Sequence, residues 1–205
     1  MIIAINIFDL RIHSIGMLSN EEIKDILYST IESIGKNRIR CDITSNIDLS
    51  AKYIDLIMAE CVTKINLGPN ASDKDETIAV LCEALLHFML TVCSLPSERK
   101  IQVKDNLSID VVIPSMTSLG RMPDKSIIIE IMRTKADLNR IAELELLQPN
   151  YKNIWLISVT PFSTRCRIYG LSSQRQLFDN IFSNIITDIN NFLKETGDKS
   201  LRLIH

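Results

Sequence analysis

Two β-branched runs, each interrupted by a single acid, constrain this chain more than any other feature. They lie in residues 108–135, SIDVVIPSMTSLGRMPDKSIIIEIMRTK. The runs IDVVI and SIIIEIM are separated by Gly120, Pro123 and Asp124. Such spacing predicts two strands joined by a connection short enough for a hairpin-like pair. Asp110 stands in the first run and Glu130 in the second. A carboxylate in a half-buried strand costs roughly several kcal/mol unless a partner or a metal compensates it. Two on adjacent strands can meet at one point, which suits Mg²⁺, a cation that takes oxygen ligands. The alternative for either acid alone is the solvent face of a one-sided sheet. For the pair, Ile127-Ile128-Ile129-Glu130-Ile131-Met132 argues against it, being apolar on both faces except at Glu130.

At 205 residues the chain makes one domain, or one domain with an appendage. A net charge of −2 does not describe a protein coated in nucleic acid, though a local basic patch is compatible with it. No apolar run reaches transmembrane length, and Asp9 and Arg11 break the N-terminal apolar stretch, so neither a membrane partner nor a signal peptide is expected. The five cysteines form no CxxC pair. Cys82 and Cys93, on one expected helix, would stand about 16 Å apart, too far for a disulfide. With three histidines, zinc is not expected. A reducing, cytoplasmic setting fits this cysteine usage.

In chain order, residues 2–12 are a strand or a short buried helix. Ser19-Asn20-Glu21-Glu22 opens a helix with acids in its first turn, and Gly35 closes it. Lys36, Arg38 and Arg40 follow as a solvated helix end. Ser50 caps a second helix to about Asn66, and residues 67–75 read as a linker. The expected division is therefore a mainly helical part, 1–68, and an α/β domain, 69–205. Ser72-Asp73-Lys74-Asp75 has a capping-box pattern and opens a helix over 73–94. Glu76, Glu83 and His87 fall near one another on it. Strands are expected at 99–105, 108–114, 126–133, 153–159 and 165–171, and helices at 137–147 and 178–192. This order predicts a mixed sheet flanked by helices, with 130–155 long enough for a parallel βαβ crossover.

The order of elements, with these acids, resembles the PD-(D/E)XK nuclease superfamily over roughly residues 73–160, particularly the branch of Holliday junction resolvases and RecB-like nucleases. The resemblance implies a restriction-endonuclease-like fold and one or two Mg²⁺ (or Mn²⁺) ions. It assigns the metal to Glu83 on the helix, with Glu76 as runner-up, to Asp110 and Glu130 on the strands, and to the carbonyl of Ile131. It implies DNA as partner and a homodimer that cuts two strands.

The sequence departs from the family's E-x-K at Met132, whose thioether cannot carry charge or stabilise a phosphorane-like transition state. Arg133 leaves a regular strand on the face opposite Glu130 and stays charged. Lys135, just beyond the strand, is the expected substitute. Phosphate contacts are expected from Arg99, Lys100, Lys104, Arg165 and Arg167, with Lys152 and Arg175 in the same acid-free segment as the last two. Trp155 lies in an apolar strand and is expected in the core. Three functions follow: a metal-dependent nuclease acting on DNA, a catalytically degenerate nuclease-like fold kept for nucleic-acid binding or assembly, and an α/β interaction protein whose acids are merely superficial.

Overall fold

The apolar runs become a six-stranded sheet because each finds cover. The computed structural model describes residues 18–65, 71–104, 107–133 and 138–197, without the side chains of 71–73 and 104. The strands are β1 (Glu98–Lys104), β2 (Leu107–Ile113), β3 (Ile127–Met132), β4 (Ile154–Ser158), β5 (Arg167–Gly170) and β6 (Asn180–Ile181). They are ordered as numbered. The first three pair antiparallel, and β3 to β6 run parallel. Helix α6 (Arg140–Leu147) makes the β3–β4 crossover.

All of β3 is buried, and its alternate residues enter two separate cores. Ile127, Ile129 and Ile131 join a cluster with α1 (Asn20–Ile34), α3 (Leu49–Lys64), α4 (Ala71–Val92) and α7 (Ile185–Glu195). Ile128 and Met132 join Leu119 of α5 (Met116–Arg121) and Leu144 of α6 on the other side. Cover on both faces explains why the run is apolar throughout. Each fully buried Ile contributes roughly 1.5–3 kcal/mol. Trp155 is likewise core, against Tyr169 and Phe192.

Local chemistry explains several boundaries and corrects others. Ser19 and Glu22 form a reciprocal capping box at α1. Gly35, with φ 103°, ends α1 and opens α2 (Lys36–Ser45), so Lys36, Arg38 and Arg40 belong to a second helix and are solvent-exposed on it, as expected. Their spacing is stabilised by i,i+4 pairs, Lys36 with Glu32 and Arg38 with Asp42. α3 starts at Leu49, so Ser50 is buried in the first turn and does not cap. α4 starts at Ala71, two residues ahead of the expected start. The β2–β3 connection is not a bare turn: Ser115 caps α5, and Pro123–Lys125 forms a single 3₁₀ turn. Past β5 a short strand, β6, precedes α7, where one helix was expected. Gly170 is required by the ring of Phe178, which a Cβ there would meet at 2.1 Å. All described cysteines are free, and among the described residues no helix is long and apolar enough to cross a membrane. Residues 2–12 and residues 67–70 of the expected linker lie outside the described residues, and residues 71–75 of that linker belong to α4.

Candidate active site

The acids meet where the β2–β3 ladder ends. Val111 faces Ile129 across that ladder, and continuing the register sets Asp110 opposite Glu130. There the side chains take over the strands' hydrogen bonds. The Ile131 N–H donates to Asp110 Oδ2 at 2.9 Å, and the Asp110 N–H donates to Glu130 Oε2 at 3.3 Å. Two strands that part at their ends leave backbone donors unpaired, and buried donors need acceptors. Acids in otherwise apolar strands meet that need and are oriented by it.

Glu83 joins from α4. Lys100 of β1 pairs with Glu83 and lies 3.3 Å from Asp110 Oδ1. Arg133, one residue past β3, pairs with the other Glu83 oxygen, lies 3.5 Å from Asp110 Oδ2 and donates to the Ile131 carbonyl at 3.2 Å. Glu130, 1% exposed, is met by Arg140 at 2.7 Å from Oε1. That contact is ionic in geometry, since Oε1 has no hydrogen-bond partner among the described residues. Arg140 begins α6, where the dipole disfavours a cation, so Glu130 offsets an otherwise unfavourable placement. Three carboxylates are thus matched by three cations.

A cavity of about 350 Å³ opens on this cluster. Asn20, Lys24 and Tyr28 of α1, Glu83 and His87 of α4, and Lys100, Asp110, Arg133 and Arg140 line it. Glu130 stands behind its wall. Burial, and then the Asp110 charge, push the Glu130 carboxyl up to about 7 against the pull of Arg140. Burial lowers His87 from the ordinary imidazole value, and its Nε2 has no partner among the described residues.

The expected site residues therefore divide. Glu83 and Asp110 share two cations at the cavity; Glu76, on the same helix, does not line it. No group of three or more His, Cys, Asp or Glu side chains suited to hold a metal forms among the described residues. The oxygens that gather on one positive group are those of Glu83, Asp110 and the Ile131 carbonyl. Oxygen donors of this kind, two of them charged, fit Mg²⁺ or Mn²⁺. Met132 is packed among Ile128, Leu144 and Leu156. Lys135 lies outside the described residues, as does the side chain of Lys104.

The cations have varied surroundings. Arg99 donates to Thr91 at 2.8 Å. Arg165 is exposed, pairs with Glu145 at 3.2 Å and stacks over Tyr151. Arg167 is held between Trp155 and Tyr169, 4.8 and 5.0 Å from their centroids, and pairs with Asp188 at 2.7 Å. Sequence reasoning passed over Lys100 and Arg140 as partners of the acids. Lys100 reaches them through a ladder irregularity between Gln102 and Lys104, where Gln102 faces Ser108 but Lys104 faces Leu107. Lys100 itself has φ 53°, left-handed backbone in mid-strand for a residue with a Cβ. Extended from the Lys104–Leu107 pair beside the turn, a regular ladder would set it against Val111 instead of Asp110.

No family model and no curated protein matches the chain. Solved structures do. One of metal-depleted Ecl18kI with uncleaved, modified DNA is 11% identical at TM-score 0.60, covering 87% of this chain and 86% of its own. The restriction endonuclease PspGI bound to substrate DNA is 13% identical at TM-score 0.56, covering 84% and 93%. A second structure of metal-depleted Ecl18kI, with uncleaved DNA, is 9% identical at 0.53. The likeness shows a restriction-endonuclease-like α/β fold.

Proposed function

We propose that this protein is a metal-dependent nuclease that hydrolyses phosphodiester bonds in DNA. The observation that carries the reading is the convergence of Glu83, Asp110 and the Ile131 carbonyl around one positive charge, beside a cavity, where two strands of this fold part. DNA as partner is supported by the DNA-bound neighbours of the same fold.

When bound, a divalent ion supplies charge neutralisation at the phosphate and an activated water. The chain's own residues do the rest. Glu83 and Asp110 would hold the ion, and Glu130 stands behind them, its Oε2 accepting from the Asp110 N–H. Lys100 presents an amine to both carboxylates from β1 and supplies the positive group that Met132 lacks; Lys135 is the other candidate for that role. Exposed Arg165 and Arg99 engage phosphates and fix register. A homodimer would pair two such sites for two strands.

The buried thioether of Met132 favours one rival, a fold kept for DNA binding without cleavage. The deciding experiment incubates the full chain and its Met132→Lys variant with linear, flapped and four-way DNA and with RNA, in Mg²⁺ and Mn²⁺. Slow Mn²⁺-dependent cleavage of DNA by the wild type is expected. DNA binding with no cleavage by either form would hand the case to the binding module.

A further inference from the structure

The two cations at the cavity divide the carboxylates oxygen by oxygen. Lys100 takes Oε1 of Glu83 and Oδ1 of Asp110. Arg133 takes Oε2 of Glu83 and Oδ2 of Asp110, and it alone also donates to the Ile131 carbonyl, at 3.2 Å. Its guanidinium therefore rests on the same three donors that suit a divalent ion. We infer that Arg133 is a built-in tenant of the metal seat: Glu83, Asp110 and the Ile131 carbonyl form one cation site, which the guanidinium fills until a divalent ion displaces it. This inference rests on the nuclease reading for its metal.

Displacement follows from size and charge. Mg²⁺ sits about 2.0–2.1 Å from its oxygens, with Mn²⁺ similar, whereas the guanidinium stands 3.2 Å from the Ile131 carbonyl and 3.5 Å from Asp110 Oδ2. The two cations compete for the same lone pairs and repel each other, so both cannot stay. Arg133 can go, because it follows the last residue of β3 and its side chain is 25% exposed. Its exit leads into the cavity, where the freed guanidinium can meet a phosphate bidentately. In this arrangement the seat stays neutralised and structured without metal, and metal entry releases a phosphate-binding group.

The test measures Mn²⁺ alone, by calorimetry on the full chain. Arg133→Met should bind Mn²⁺ about tenfold more tightly than the wild type, and adding Asp110→Asn should abolish that gain. Lys100→Met controls for the general removal of positive charge and should give a smaller gain, since Lys100 leaves the carbonyl untouched. Should Arg133→Met fold only with Mn²⁺ present, that also supports the tenant role. Should it not fold at all, Arg133→Lys decides. Its single head cannot span three donors, and about a threefold gain is expected. Equal or weaker Mn²⁺ affinity in the Arg133 variants, a gain no larger than that of Lys100→Met, or no Mn²⁺ binding by any form overturns the inference. Cleavage is scored separately. Tighter binding without cleavage by any form retires the nuclease reading and keeps the tenant, whereas wild-type cleavage with equal affinities does the reverse.

Discussion

The fold holds two clusters of partly buried charge, and they are built in opposite ways. Around Arg167 every group has a partner within the protein. Asp188 accepts from Arg167 at 2.7 Å and from the Tyr169 hydroxyl at 2.8 Å; Arg167 Nε donates to Asn180 at 3.1 Å, and two aromatic rings cover the guanidinium. Around Asp110 three acids crowd three cations, one carboxylate oxygen has no hydrogen-bond partner among the described residues, and a cavity stands open beside them. The first arrangement spends its polar capacity on locking β5 to α7. The second sets its charges beside a cavity of about 350 Å³, which leaves room for a guest. Burial alone does not separate them; saturation does.

The largest effect that sharpens this contrast is Asp110→Asn. Asn keeps an acceptor for the Ile131 N–H but loses the charge that both cavity cations share. Cleavage is expected to fall about 10²- to 10³-fold, or roughly 3–4 kcal/mol of transition-state stabilisation, and Mn²⁺ affinity to fall with it. Thermal unfolding should change little. A variant that unfolds readily yet cleaves normally when folded would make the acids scaffold, and the contrast would collapse.

Arg167→Ala should behave the other way. It strips Asp188 and Asn180 of a donor and removes packing from two rings. A loss of roughly 2–3 kcal/mol is expected, discounted from the cost of breaking a fully buried pair because Arg167 is 32% exposed. Mn²⁺ affinity should be unchanged. Denaturant unfolding and filter binding to duplex DNA decide between this role and the phosphate contact read from the sequence: unchanged stability with lost DNA binding would restore the latter.

Much of this was legible in the sequence because it depends on local pattern. The apolar run of β3 requires cover on both faces, and its one acid advertises a compensated site. Gly35 and the Ser19–Glu22 pair mark the ends of α1 by mechanism. What stayed hidden depends on geometry that no local pattern encodes. The ladder irregularity that turns Lys100 toward Asp110 shifts pairing by one residue, and a one-residue shift moves a side chain to another neighbour. Arg140 meets Glu130 only because α6 packs back onto the sheet. Arg133, expected on the face away from Glu130, finds Glu83, Asp110 and the Ile131 carbonyl within its reach. Arg167 looked like one more cation in a basic segment, since nothing local announces that Trp155, Tyr169 and Asp188 will enclose it.

The smallest effect is also the most diagnostic of an open cluster, and it concerns pH. Glu130 is raised from 4.5 to about 7, by burial first and by Asp110 second. Between those values the folded chain holds a proton that the unfolded chain has released. Stability therefore falls as pH rises through that window, and the loss is complete above it. His87 is lowered from 6.5, so it acts with the opposite sign, adding stability as pH rises toward 6.5. Glu130→Gln removes only the first contribution while His87 persists, so the difference between variant and wild type isolates the carboxyl. Near pH 5 the two should be similarly stable. At pH 8 the variant should be more stable by roughly 1–2 kcal/mol, because Gln needs no charge buried and Arg140, 27% exposed, can turn to water. Thermal unfolding from pH 5 to 8 without divalent metal reads this directly. A difference that stays flat across the range would mean that Arg140 saturates Glu130 as fully as Arg167 saturates Asp188, and the two clusters would then be of one kind.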